Sequence, residues 1–259
     1  MNPPMSVFLR WSRPWLLPVA LLACWEMVTT FAWVPSSLLA PPDQVLRSLF
    51  SLASNGQLLV HVSASLYRLL VGFFLGSLLG AALGIFTGVS KRAEAFLAPT
   101  LQAFAPVPPI AWIPLLIVFF GIGEGSKIAL IALASFVVVY LHAFQGVRAA
   151  DQKLVELAHA YKKGRPALVW EVLLPCALPG ILTGLRVSLG LSWILLIAAE
   201  LIASSRGLGW LIWDSRNFSR PDDMLAGMLA IAVLGGLSDR LLALLEKRLL
   251  SWRDSFAGA

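Results

Sequence analysis

The sequence predicts an all-α membrane protein of about six transmembrane helices, and three features carry that reading. Apolar residues make up 58% of the chain, charged residues 13%, and the mean hydropathy is +0.81, against roughly half and a quarter in soluble domains. The apolar residues come in runs near the ~20 that a helix needs to cross a ~30 Å hydrocarbon layer. The basic residues fall unevenly between those runs. Residues 1–259 read as a single transmembrane domain.

The first run, 14–33, follows Arg10 and Arg13 as a secretory signal would. It is longer than a signal core and lacks a small-x-small cleavage site before Pro35, so a retained helix is expected. Further spans are expected at 66–88, 96–120, 126–145, 178–203 and 224–246. With the N-terminus in the cytoplasm, the inside segments hold twelve basic residues: Arg10, Arg13, Lys91, Arg92, Arg148, Lys153, Lys162, Lys163, Arg165, Lys247, Arg248 and Arg253. The outside segments hold five: Arg47, Lys127, Arg206, Arg216 and Arg220. That asymmetry places both termini in the cytoplasm and makes the net charge of +6 a matter of topology rather than of nucleic-acid binding.

In the second span, Gly72, Gly76, Gly80, Gly84 and Gly88 lay a stripe without side chains along one helix face. Such a stripe lets backbones approach closely, either as static packing or as a sliding seam. The third span is interrupted by Pro106, Pro108, Pro109 and Pro114, and proline removes a donor and clashes with the preceding turn. Irregular backbone survives in hydrocarbon only where protein or water satisfies it. Residues 105–114, with Trp112 among them, are therefore candidates for a pathway lining or for a kinked packing helix.

Residues 147–177 leave the membrane. Residues 151–161 read as an amphipathic helix, 162–165 as a turn, and Pro166 as the start of a second short helix that Pro175 should stop near Leu174. On pattern alone this is either a compact docking knob or a solvated linker.

Ionisable groups within spans are costly unless paired or hydrated. Arg186 and Asp239 lie at similar depths and are expected to form a structural ion pair. Arg68 and Glu200 fall toward the outer third. Arg68 either attracts an incoming anion or pairs with Glu200 or Glu26. Trp11, Trp15, Trp33, Trp210, Trp213 and Trp252 suit membrane interfaces, whereas Trp193 lies mid-span and is a second candidate for narrowing a pathway. The glycine-rich stretch 121–127 lacks Walker spacing and reads as an interhelical turn. His61, His142 and His159, with Cys24 and Cys176, give no ligand spacing, so no metal is expected.

The stretch ELAHAYKKGRPALVWEVLLPCALPGILTGLR, from Glu156 to Arg186, resembles the EAA loop of binding-protein-dependent ABC permeases. The family pattern has Glu-Ala-Ala, a glycine six residues after the glutamate and Leu-Pro nineteen after it. Here these positions are Glu156, Leu157, Ala158, Lys162, Leu174 and Pro175, with a glycine at Gly164. PPDQVLRSL, VPPIAWIPLLIVFFGIGEGSKI, GLRVSLGLSWILLIAAELIASSRGLGWLI and the terminal SWRD are similar to the aliphatic sulfonate, taurine and nitrate permeases, and WLLPVALLACWE leans toward the sulfonate members.

The resemblance implies a type I ABC importer permease fold in the bacterial inner membrane and a homodimer. Two cytoplasmic ATPase subunits would dock on Glu156, Ala158, Lys162, Gly164, Leu174 and Pro175, and a periplasmic binding protein would deliver the substrate, an aliphatic sulfonate or else taurine or nitrate. ATP and magnesium would bind the ATPase, leaving this chain without cofactor or catalysis. A secondary transporter would show an internal repeat and an enzyme a nucleophile or metal constellation; neither pattern appears in the sequence.

Overall fold

The computed structural model describes residues 5–251, with side chains from residue 16 onward except 203. Its elements are helical throughout: α1 (Met5–Thr30), α2 (Pro42–Ser54), α3 (Gln57–Val89), α4 (Lys91–Phe104), a 3-10 turn (Pro109–Trp112), α5 (Ile113–Phe120) and α6 (Glu124–Arg148). They continue with α7 (Gln152–Ala160), α8 (Arg165–Leu168), a π-turn (Val169–Leu173), α9 (Leu174–Ala203), α10 (Leu208–Asn217) and α11 (Pro221–Leu249).

The centre of the fold is α3 lying along α6, and the glycine stripe is the reason they meet so closely. A methyl group placed on Gly80 would come within 2.6 Å of the Phe136 carbonyl oxygen; on Gly84 it would lie 2.6 Å from that of Tyr140, and on Gly88 2.7 Å from Val147 Cβ. The partners climb in step with the glycines, so α3 and α6 run in the same direction. On its other side α6 packs antiparallel to α9, with Gly184 over His142 and Gly180 over Gly146. Ser135 and Ser192 share a buried hydrogen bond of 3.0 Å at the centre of that seam.

Two parallel helices need a return crossing between them, and α4 and α5 supply it. Their axes bend by 89° at the prolines. Glu94 in the first turn of α4 pairs with Arg148 at the end of α6, whereas Glu124, just after α5, reaches Arg68 near the start of α3. The segment thus travels from one end of the bundle to the other as a broken span.

Four helices are long and apolar enough to cross a membrane, five with the broken pair counted as one. These counts are of the described residues; α1 is a further helix of 26 residues, of which the stretch Leu16–Thr30 is apolar. Several spans also outrun their expected limits, because apolar runs mark hydrocarbon while helical hydrogen bonding continues into the flanks. α3 begins at Gln57 rather than 66, and the span of α9 extends back to Arg165.

That extension overturns the expectation that Pro175 stops the second elbow helix. Leu174 N–H donates to Val169 O, five residues back, so the π-turn displaces the carbonyls on which the proline ring would clash. The helix runs on through Pro175 into α9. At the opposite end of the bundle, α2 and α10 cap the helices. Val45 and Leu52 of α2 join Ala40, Leu211 and Ala226 in a small core, to which Trp25 of α1 is tied by its indole N–H on Ala40 O at 3.1 Å.

Candidate functional site

Most of the candidate residues gather in three places: the elbow between α6 and α9, the broken span, and a charge cluster at the end opposite the elbow.

The elbow is built by capping. Asp151 accepts from Lys153 N at 2.9 Å and opens α7. α7 closes with Lys162 N–H on His159 O at 2.8 Å and Lys163 N–H on Ala158 O at 3.0 Å, the bond pair of a Schellman motif. Its left-handed residue is Lys162, at φ 53°. Gly164 is extended and caps α8. The glycine position of the EAA pattern is therefore the turn position here, occupied by a lysine, and Gly164 does not replace it.

Ala158 is buried under α7, where a longer side chain would hold the helix off the elbow; Leu174 is half-buried and Pro175 exposed. Glu156 is exposed on the outer surface, as are Leu154, Leu157, Tyr161 and Trp170. Leu154, Leu157, Tyr161, Pro175 and Cys176 line an apolar groove of about 670 Å³, rimmed by the Lys163–Glu171 ion pair. Large apolar side chains exposed around a groove make it a candidate docking surface.

At the broken span, Pro106 and Pro108 are exposed and Pro109 starts the 3-10 turn. Trp112 stacks obliquely on Phe104, with ring centroids 5.6 Å apart. Beneath them lies a cavity of about 110 Å³ closed by Ala134, Val138 and Leu191. Trp193 sits elsewhere: only 6% exposed, it packs with Leu69, Phe73 and Leu196 and donates to Ser238 Oγ at 3.0 Å. It fastens α9 to α11 and faces no open space.

In the charge cluster, Arg68 (3% exposed) sends Nη1 to Glu200 Oε1 and to Arg206 O, both at 2.7 Å; its Nε and Nη2 reach Glu124 at 2.5 and 2.8 Å. Glu200 also accepts from Ser65 Oγ at 2.7 Å and Gly209 N at 2.8 Å. Gly207, at φ 130°, lies so close over this carboxylate that any side chain there would collide with it. The partner of Arg68 is thus Glu200 together with Glu124, and not Glu26, which accepts from Thr30 Oγ1 at 3.5 Å. Lys127, 4% exposed, lies 3.4 Å from Glu124 and completes an alternating row of charges.

Arg186 and Asp239 form a two-point bridge of 2.6 and 2.8 Å. Sequence reasoning missed Glu124, whose position three residues before Lys127 in the first turn of a span was the available signal. It missed Glu94–Arg148 too. Trp252 and Arg253 lie outside the described residues.

A bundle of apolar helices with a broken span and a folded elbow is the architecture of a membrane permease. The chain belongs to the family of binding-protein-dependent transport system inner membrane components, whose pattern it matches over residues 72–251. It is 42% identical to SsuC of Bacillus subtilis, named as an aliphatic sulfonates transport permease protein, over 96% of this chain and 90% of that one. It is 40% identical to the taurine transport system permease protein TauC of Escherichia coli (90% and 86% covered), and 30% identical to the nitrate import permease protein NrtB of Synechocystis (90% and 87%). Among solved structures, the inward-facing MetNI methionine ABC transporter shares its fold, with a TM-score of 0.64 at 18% identity over 73% of this chain and 94% of that one. The chain is the translocation subunit of an ABC importer in the inner membrane; ATP hydrolysis belongs to a separate subunit.

Proposed function

We propose that two copies of this chain form the pathway for a small organic anion, an aliphatic sulfonate, with the elbow and both termini in the cytoplasm. Each elbow docks on one of two ATPase subunits, which hold ATP and magnesium, and a periplasmic binding protein delivers the solute to the end bearing α2 and α10. The observation that carries this is the elbow: an exposed glutamate and a ring of exposed apolar side chains on a folded lever continuous with α9. Docking there can bias the bundle only if its free energy differs between the two states of the ATPase. The helical run from Arg165 to Ile202, which passes through the π-turn at Val169–Leu173, joins the elbow to the bundle and is the path by which that difference crosses the bilayer. The Pro106–Pro109 break, with Trp112 over its cavity, is the segment that moves in response, and the Arg68 cluster holds the opposite end together.

Uptake of labelled ethanesulfonate by proteoliposomes holding the full complex, competed by taurine and by nitrate, tests the substrate. Competition by other alkanesulfonates but by neither of the other two supports the sulfonate reading. Transport of taurine or nitrate alone replaces it with the reading that similarity to TauC or NrtB favours.

A further inference from the structure

Arg186, Asp239 and Glu246 occupy one face shared by α9 and α11. The Arg186–Asp239 bridge is nevertheless open to its surroundings, its side chains 46% and 48% exposed, and Arg186 Nη1 lies 3.9 Å from Glu246. At 1.5 Å per residue, Asp239 sits about 27 Å along α11 from Pro221, and Arg186 about 24 Å below Ile202. Both distances fall within a hydrocarbon layer of about 30 Å. Asp239 and Glu246 are two turns apart on the same side of α11, so the charges form a strip descending toward the elbow end. Thr183 is exposed one turn from Arg186, and Gly190, one turn the other way, has nothing within 4 Å of where a side chain would begin.

An Arg186–Asp239 bridge this exposed is costly against lipid tails, and Glu246, about 38 Å along α11 from Pro221, carries the strip past the hydrocarbon layer. It gives no basic pocket for a lipid phosphate either, because the groups that meet Arg186 are the carboxylates of Asp239 and Glu246. Anionic headgroups are held by an excess of Lys and Arg. We propose that this face of α9 and α11 walls a water-filled vestibule of the pathway, open at the elbow end, in which Arg186, Asp239 and Glu246 keep the mouth hydrated without retaining an anionic solute. The proposal rests on the reading above, which puts the elbow in the cytoplasm.

The test is thiol labelling of Thr183→Cys and Gly190→Cys, each in a complex with Cys24 and Cys176 replaced by serine and with its ATPase co-expressed. In inverted membrane vesicles, the membrane-impermeant 2-sulfonatoethyl methanethiosulfonate is expected to modify both positions to completion. Modification by lipid-soluble N-ethylmaleimide alone would overturn the vestibule. So would copper-phenanthroline cross-linking of two copies without reaction with the charged reagent. Ethanesulfonate uptake by the same cysteine-free complex is scored separately. Uptake without labelling overturns the vestibule and leaves the transport reading standing, whereas labelling without uptake of any of the three anions leaves the vestibule and removes the substrate reading.

Discussion

Arg68 on α3 and Glu200 on α9 meet at 2.7 Å across 132 residues of chain, and all three guanidinium nitrogens are engaged by Glu200, Glu124 and Arg206 O. With its nitrogens so occupied, Arg68 is a clasp rather than a lure for anions. Removing one member of a buried pair leaves an uncompensated charge and costs about 3–5 kcal/mol. Arg68→Met is therefore expected to lower the melting temperature of the detergent-solubilised complex sharply. Arg68→Met combined with Glu200→Leu should recover most of that loss, since the buried carboxylate is gone and Glu124, about half exposed, keeps Lys127 at 3.4 Å. A double variant no more stable than the single one would refute the clasp.

The glycine stripe supports a paired comparison. At Gly80 an added methyl group meets the Phe136 carbonyl, backbone that has no room to retreat, while at Gly190 it meets nothing. Overpacking a seam costs about 1–3 kcal/mol, whereas an alanine in an open helical position is neutral or slightly favourable. Gly80→Ala should therefore melt earlier than the parent and Gly190→Ala should not, measured under identical detergent conditions.

These two cases show what sequence makes legible. The four-residue spacing of glycines and the cluster of prolines are local, so a close-packed face and a broken span follow from them directly. Which helix fills the stripe is not local: nothing in Gly72 to Gly88 specifies α6, or the parallel direction that forces 91–120 to cross. The same limit hid Glu124, which in sequence sits in a glycine-rich turn and becomes the second partner of Arg68 only once α3 and α6 lie side by side. Pro175 misled for a related reason. Its local meaning is a helix stop, and the π-turn before it ends at Leu173, which packs with Ala143 and Val147 from a distant part of the chain.

Lys162 offers a third prediction. A left-handed backbone costs a non-glycine residue roughly 1–2 kcal/mol, and a β-branched side chain suffers most. Lys162→Gly should strengthen the turn and Lys162→Val should weaken it. Hydrogen exchange of the Lys162 and Lys163 amides, which donate to His159 and Ala158, reads both: slower in the glycine variant, faster in the valine variant.

The last prediction concerns the force path. Glu156 lies on the exposed side of α7 while Ala158 is turned inward beneath it, so changing the glutamate alters the docking face without disturbing the fold of the elbow. Glu156→Lys removes a negative charge from a face that also carries Lys153, Lys162 and Arg165, and adds another positive one. If an ATPase groove recognises that glutamate, the variant should insert and assemble at parental levels, because the membrane-facing helices are untouched. The complex should then lose stimulation of ATP hydrolysis by solute-loaded binding protein, while its basal hydrolysis, set within the ATPase subunits, persists. Stimulation equal to that of the parent would show that the elbow transmits force without Glu156, and would move the docking contact to Leu154, Leu157 and Tyr161 around the apolar groove.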